Sequence, residues 1–211
     1  LLPQLTKSEH DHAGIIPLTL DKILKAKLPG AENRPQNLID WRTLTHFSKL
    51  PDVQAQQVGM LYKSLLNEEV GLAARLNAFA DSYPQLIQGV VPLKDGGKMD
   101  SGTLRPLTSF ILSSYDPERY IFVRTSIFAR ASERLTGTNI CAAYSAGKST
   151  LGEEYAQIMA FSRAVKEALS DWQPRDFIDV QSFLWVTARQ QKNFVNSPAS
   201  EMHPEQEIVN E

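Results

Sequence analysis

The sequence has a single cysteine, Cys141, in 211 residues. That excludes an intramolecular disulfide framework and any cysteine-rich zinc site. It is compatible with a reducing compartment, and the expected location is cytoplasmic. An apolar run of about 18 residues is also missing, so nothing reads as a membrane-spanning helix and no membrane is expected as a partner. No signal peptide is visible. The chain opens Leu1-Leu2-Pro3 without Met, as expected of a processed chain or a piece of something longer. Charge of one sign is lacking too: 22 Lys and Arg stand against 24 Asp and Glu, a net charge of −2. A histone-like polycation is thereby excluded, while a local basic patch is not.

Complete catalytic motifs are missing as well. There is no Gly-x-Ser-x-Gly elbow, and no Asp followed by Glu-x-Lys on a strand. Cys141 has no His in its segment and reads as a small core residue. His10 and His12, beside Glu9 and Asp11, have the spacing of a metal clip on an extended chain. In a polar, aperiodic terminus they read as solvated residues, and His46 and His203 have no nearby ligand partners. No metal and no cofactor is expected. The nearest approach to a phosphate loop is Ala142 to Thr150, ending Gly147-Lys148-Ser149-Thr150. A P-loop needs glycine at the position Ala142 holds, so that backbone amides can wrap the phosphates. A buried strand should also precede it, and Thr138-Asn139-Ile140-Cys141 is a poor one. The expectation is a loop and helix cap, with Ser149 or Thr150 opening a helix and Glu153 or Glu154 near N3 as a capping box.

What is present is helical periodicity. Thr19 opens a short helix to Lys27, and Asp40 one that carries Trp41, Leu44 and Phe47. Pro51 sits near the start of a third, with Val58, Leu61, Tyr62, Leu65 and Leu66 on one stripe. Leu72, Leu76, Phe79 and Tyr83 form the next, running to Pro84, with Gly71 as the break between them. Residues 84–102 read as loop around Asp95-Gly96-Gly97, with Val90-Val91 as a short strand. A helix over Thr103 to Ser114 stops at Asp116-Pro117. Tyr120-Ile121-Phe122-Val123 is the best strand candidate. Thr125 or Ser126 caps a helix to Leu135, with Gly137 as its C-cap glycine. The clearest element runs from Thr150 to Trp172, ended by Pro174. Asp176 caps the last helix, which is apolar nearly all round from Phe177 to Val186 and is expected in the core. After Phe194 the chain is polar and acidic.

The expected fold is therefore mainly α: a multi-helix bundle of about seven or eight helices, with room for a small two-stranded β-ribbon. Its expected organisation is an N-terminal helical segment over 1–55, a main helical domain over 56–195, and an acidic tail or linker over 196–211. A chain of this length can bury about 70% of its unfolded surface.

The middle of the chain is basic. Between Lys94 and Lys148, eight cations (Lys94, Lys98, Arg105, Arg119, Arg124, Arg130, Arg134 and Lys148) face five carboxylates, a local excess of three. Tyr120 and Phe122 lie beside Arg119 and Arg124, and Arg130 and Arg134 are spaced for one helix face. This is a candidate phosphate-contacting face. The structural alternative is a solvated helix face with one buried ion pair. Asp176 and Asp179, as N-cap and N3, suit a helix dipole without further function.

Four strings occur in a characteristic order. They are Thr108-Ser109-Phe110-Ile111-Leu112 leading into Asp116-Pro117-Glu118-Arg119-Tyr120; Thr125-Ser126-Ile127-Phe128 with a helix to Leu135-Thr136-Gly137; Tyr155 near the start of the long helix; and Phe177-Ile178-Asp179-Val180-Gln181-Ser182-Phe183-Leu184-Trp185-Val186. Over residues 60 to 188 this order resembles a helical module near the N-terminus of McrB-type AAA+ restriction proteins. Asp179-x-Gln181-Ser182-x-x-Trp185 is its most specific part. The resemblance implies a non-catalytic targeting or specificity module of an antiphage defence system, with DNA, including modified DNA, and the system's AAA+ motor domain and nuclease subunit as partners. No motor motif follows in this sequence, which fits an excised domain or another host. Asp179, Gln181 and Trp185 read as structural signature residues, with Gln181 satisfying buried backbone groups.

The first expectation is thus DNA binding without chemistry, with phosphate contacts from Lys94, Lys98, Arg105, Arg119, Arg124, Arg130 and Arg134. Selectivity would come from the 84–102 and 136–150 loops. The second is a protein-interaction module coupling the motor to a partner subunit. It predicts an exposed apolar patch, for instance at Trp41, Phe47 or Phe194. The third, a nuclease or NTPase, needs an acid cluster or a working phosphate loop.

Overall fold

Apolar residues three and four apart build seven α-helices over residues 50–89 and 101–189, which the computed structural model describes. The two helices expected before residue 50, the Val90-Val91 strand, Lys94, Lys98, all four histidines and the acidic tail lie outside the described residues.

Helix α1 (Asp52–Leu66) starts directly after Pro51 and buries Val58, Tyr62, Leu65 and Leu66. It runs across the boundary expected at residue 55. Gly71 ends the turn and opens α2 (Leu72–Ile87). Tyr62, Phe79 and Tyr83 stack between the two helices, with ring centroids 5.6 Å and 5.1 Å apart along the series. Pro84 does not end α2 as expected. It removes one backbone bond, but the flanking Tyr83 and Ile87 are fully buried and hold the helix through it.

Helix α3 (Ser101–Tyr115) stops where Asp116 folds back on the chain, its Oδ1 accepting from the amides of Glu118 and Arg119. The following Tyr120–Val123 is buried, yet among the described residues it is not a strand, so the expected ribbon is not formed there. Side chains replace the missing sheet partner. Tyr155 Oη donates to the Ile121 carbonyl at 2.9 Å, and the Val123 amide donates to Ser109 Oγ at 3.0 Å. Such pairing satisfies a buried extended backbone without a ladder.

Helix α4 (Thr125–Thr136) already includes both expected caps, Thr125 and Ser126; its N-cap position is Arg124, which makes no side-chain cap, and Thr125 Oγ1 accepts from Arg105. Gly137, at φ 76°, closes it in the left-handed region as its sequence position implied. A short α5 (Ala142–Ser145) leads to α6 (Leu151–Ala168), which opens with the Thr150–Glu153 capping box. The helix is shorter than expected, since Ser170–Trp172 form a 3₁₀ turn ended by Gln173 at φ 51°. Helix α7 (Phe177–Arg189) is capped by Asp176, whose Oδ1 accepts from the Ile178 and Asp179 amides at 2.8 and 3.3 Å. It packs on α4 and α6.

Candidate functional site: the α3–α7 groove

Helix α7 is not buried all round. Its inner stripe, Phe177, Val180, Leu184, Thr187 and Ala188, enters the core. A second stripe, Ile178, Gln181, Ser182, Trp185 and Val186, repeats at i, i+3, i+4, i+7 and i+8 and faces outward. Ile178 and Val186 are 55% and 58% exposed. This stripe forms one wall of a groove of about 550 Å³; Phe110, Ser113 and Ser114 of α3, with Tyr120 and Phe122, form the other. Phe110 and Phe122 meet edge to face at 6.1 Å, which fixes the floor. Gln181 is half-buried in the groove wall and satisfies no backbone group among the described residues, contrary to its expected role in the core.

No charged side chain lines the groove, but two guanidiniums flank one end. Arg124 and Arg189 stand over the Trp185 ring at 5.2 and 4.4 Å from its centroid. Neither forms an ion pair among the described residues. Near the same end Arg134 donates to the Thr187 carbonyl, satisfying an acceptor in the last turn of α7. The groove is therefore apolar along its length and cationic at the C-terminal end of α7. Beyond it, Trp172 is 76% exposed and packs edge to face with Phe183 at 6.2 Å.

The basic residues expected to form one phosphate-contacting face are dispersed. Arg105 is withdrawn from any ligand: it is 1% exposed and paired with Glu154 at 2.5 Å. Its remaining donors reach Thr125 Oγ1, Ser145 Oγ and the Cys141 carbonyl at 2.8, 3.3 and 3.4 Å. Arg119 pairs with Glu68 at 2.5 Å, Arg124 lies on Trp185, and Arg134 is held by Thr187. Of the five described, Arg130 alone is exposed with no ion pair or ring contact among the described residues.

The phosphate-loop look-alike is a helix end. The Lys148 amide donates to the Ala143 carbonyl and the Gly147 amide to that of Tyr144, at 2.9 and 3.0 Å, with Gly147 at φ 67°. This is the Schellman pattern, and it occupies amides that a phosphate would need. The buried Glu154 carboxylate also accepts from the Tyr144 amide. Cys141, 2% exposed in the same region, has its thiol pushed up to about 12 by burial. Among the described residues no group of three His, Cys, Asp or Glu could hold a metal ion, and no helix is long and apolar enough to cross a membrane.

The groove is hidden in the sequence because apolar residues on every side of α7 give it the pattern of one buried surface. The available signal was the mixed composition of the second stripe, where Gln181 and Ser182 interrupt three apolar residues. Comparison of the chain with protein-family models, with curated proteins and with solved structures finds no match.

Proposed function

We propose that this chain is a non-catalytic protein-interaction module of a restriction-type defence system, coupling a AAA+ motor to a nuclease or other partner subunit through the α3–α7 groove. The single observation that carries this reading is the outward stripe of α7. A helix with two apolar faces and one of them in solvent points to a partner surface. The Gln181-Ser182-x-x-Trp185 string, on which the resemblance to McrB-type proteins rests, lines that groove.

The occupant we assign is an amphipathic helical segment of the partner subunit, bearing a carboxylate where it passes Trp185. Charge complementarity supports this choice, because among the described residues Arg124 and Arg189 have no ion-pair partner at that end and the groove has no acid of its own. Helix-in-groove recognition of this kind uses a few apolar anchors, with Trp and Arg as common hot spots. Full burial of Ile178, Trp185 and Val186 would contribute about 1.5–3 kcal/mol each, before the cost of association.

The test is capture of the purified motor and nuclease subunits by the full chain. Ile178→Asp should weaken it at least tenfold. Val53→Asp, at an exposed apolar residue of α1, should leave it unchanged. Equal loss in both variants, or a stable homodimer that occupies the groove, would overturn the reading. Duplex binding is the second reading, favoured by exposed Arg130 and by Arg124 and Arg189, which have no carboxylate partner among the described residues. Gel shifts with plain and methylated duplexes at two salt concentrations test it, and binding indifferent to salt would remove it.

A further inference from the structure

Opposite in character to the groove is a cleft between the α1–α2 turn, the Glu118–Tyr120 turn and the second half of α6. Its volume is about 570 Å³. Helix α2 begins there at Gly71 with no side-chain cap and no acidic residue in its first turn. The first backbone bond of the helix is from the Arg75 amide to the Gly71 carbonyl, so the amides of Leu72, Ala73 and Ala74 have no partner within the helix. By contrast, the N-terminus of α6 is closed by its own capping box.

A second observation is independent of the helix end. Arg75 lines the cleft and is 93% buried, at 7% exposure, yet no carboxylate pairs with it among the described residues. Its two terminal nitrogens donate to the Leu65 carbonyl at 2.7 Å and to Tyr120 Oη at 3.3 Å, and its Nε has no partner. Tyr120 Oη in turn donates to Glu68 at 3.3 Å, and Glu68 is within electrostatic reach of Arg75 while paired with Arg119, so one carboxylate serves two guanidiniums. A buried cation neutralised only in part is stabilised by an anion that enters beside it. Arg119, Arg163 and Lys166 line the same cleft, against Glu68 and Glu118. Glu68 is occupied by Arg119 at 2.5 Å. Four cations against two carboxylates leave an excess of two.

We infer that this cleft binds a phosphate dianion, the terminal phosphate of a small phosphorylated molecule. The charge excess matches a phosphomonoester, whereas a phosphodiester linkage carries one charge. Free helix amides and an arginine are the usual donors for such a group. The cleft also has room for a sugar or nucleoside behind the phosphate. This site is separate from the α3–α7 groove, and its failure would leave the interaction reading untouched.

The test is a ¹H–¹⁵N titration of the full chain with inorganic phosphate against chloride at matched ionic strength. Further arms use ribose 5-phosphate, ribose, and a duplex lacking terminal phosphates. The expected result is saturable shifts at the amides of Leu72, Ala73 and Ala74, given by phosphate and ribose 5-phosphate but not by ribose. The double variant Arg163→Gln/Lys166→Gln removes two cations of the cleft, exposed Arg163 and half-buried Lys166 whose Nζ also donates to the Arg175 carbonyl, and should bind at least tenfold more weakly in a chain that stays folded. Glu68→Gln frees Arg119 and should bind more tightly. Shifts that match chloride, that survive unchanged in the double variant, or that arise from the duplex alone would overturn the assignment.

Discussion

Glu154→Ala should be the most damaging single truncation in the described structure. Glu154 is fully buried, and its two oxygens serve different segments: Oε2 pairs with Arg105 Nε at 2.5 Å, and Oε1 accepts from the Tyr144 amide at 3.3 Å. Through Arg105 the network reaches α3, the start of α4, α5 and α6 at once. Removing the carboxylate leaves a guanidinium that is 1% exposed without a counter-ion, and a backbone amide without its acceptor. Breaking a buried pair from one side costs about 3–5 kcal/mol, a fifth or more of the roughly 5–15 kcal/mol that holds a domain folded. In urea unfolding, with a slope of about 1–3 kcal/mol per molar, the midpoint should fall by more than ~1 M. Arg105→Met/Glu154→Leu should recover most of the loss, since a buried pair replaced by apolar groups is often neutral. The exposed Arg119–Glu68 pair is the internal control, and Glu68→Gln should shift the midpoint little. A loss below about 1 kcal/mol for Glu154→Ala, as for a surface pair, would refute the reasoning.

Other substitutions probe the packing and the caps. Gly152→Ala places a Cβ into the backbone of Ala73 where α2 and α6 cross, so it should destabilise by about 1–3 kcal/mol although alanine favours helix by about 1 kcal/mol. A stabilised variant in urea unfolding would mean the crossing is looser than drawn. Thr150→Ala removes the capping box of α6 and should cost about 0.5–2 kcal/mol in the same assay. The Cys141 thiol, raised to about 12 by burial, should react with a disulfide reagent at pH 8 only as fast as the chain opens. In the unfolded chain that thiol loses its proton near pH 8.5, so the unfolded state binds fewer protons above that pH. Stability should therefore fall from about pH 8.5 towards pH 12, and Cys141→Ala should flatten that slope.

Local signals were legible in the sequence. Gly137, Thr150 with Glu153, and Asp176 each act within three or four residues, and each caps the helix its spacing implied. The stripes of α1 and α2 were legible for the same reason, because burial at Val58, Tyr62, Leu76 and Phe79 follows a period of 3.6. Distant partners overrode local propensity elsewhere. Tyr120–Val123 has the composition of a strand, but Ser109 and Tyr155, 14 and 34 residues away, supply its hydrogen bonds. Pro84 looked like a stop, and burial of the residues around it carried the helix on. Arg105 looked like a surface cation because its partner lies 49 residues downstream. Helix α7 misled through abundance: apolar residues on every side obscure which face meets the core, and Gln181 with Ser182 is the one local mark of the outward stripe.

The most direct test of the central claim is photo-crosslinking from the groove. A benzoylphenylalanine placed at Val186, beside Trp185, should form an adduct with the motor or nuclease subunit. The modified residues should fall in one amphipathic segment carrying a carboxylate, and the adduct should disappear in Ile178→Asp. The same probe at Val53 should give none. Adducts of equal yield from both positions, or from Val186 with and without Ile178, would contradict the α3–α7 groove as the docking surface.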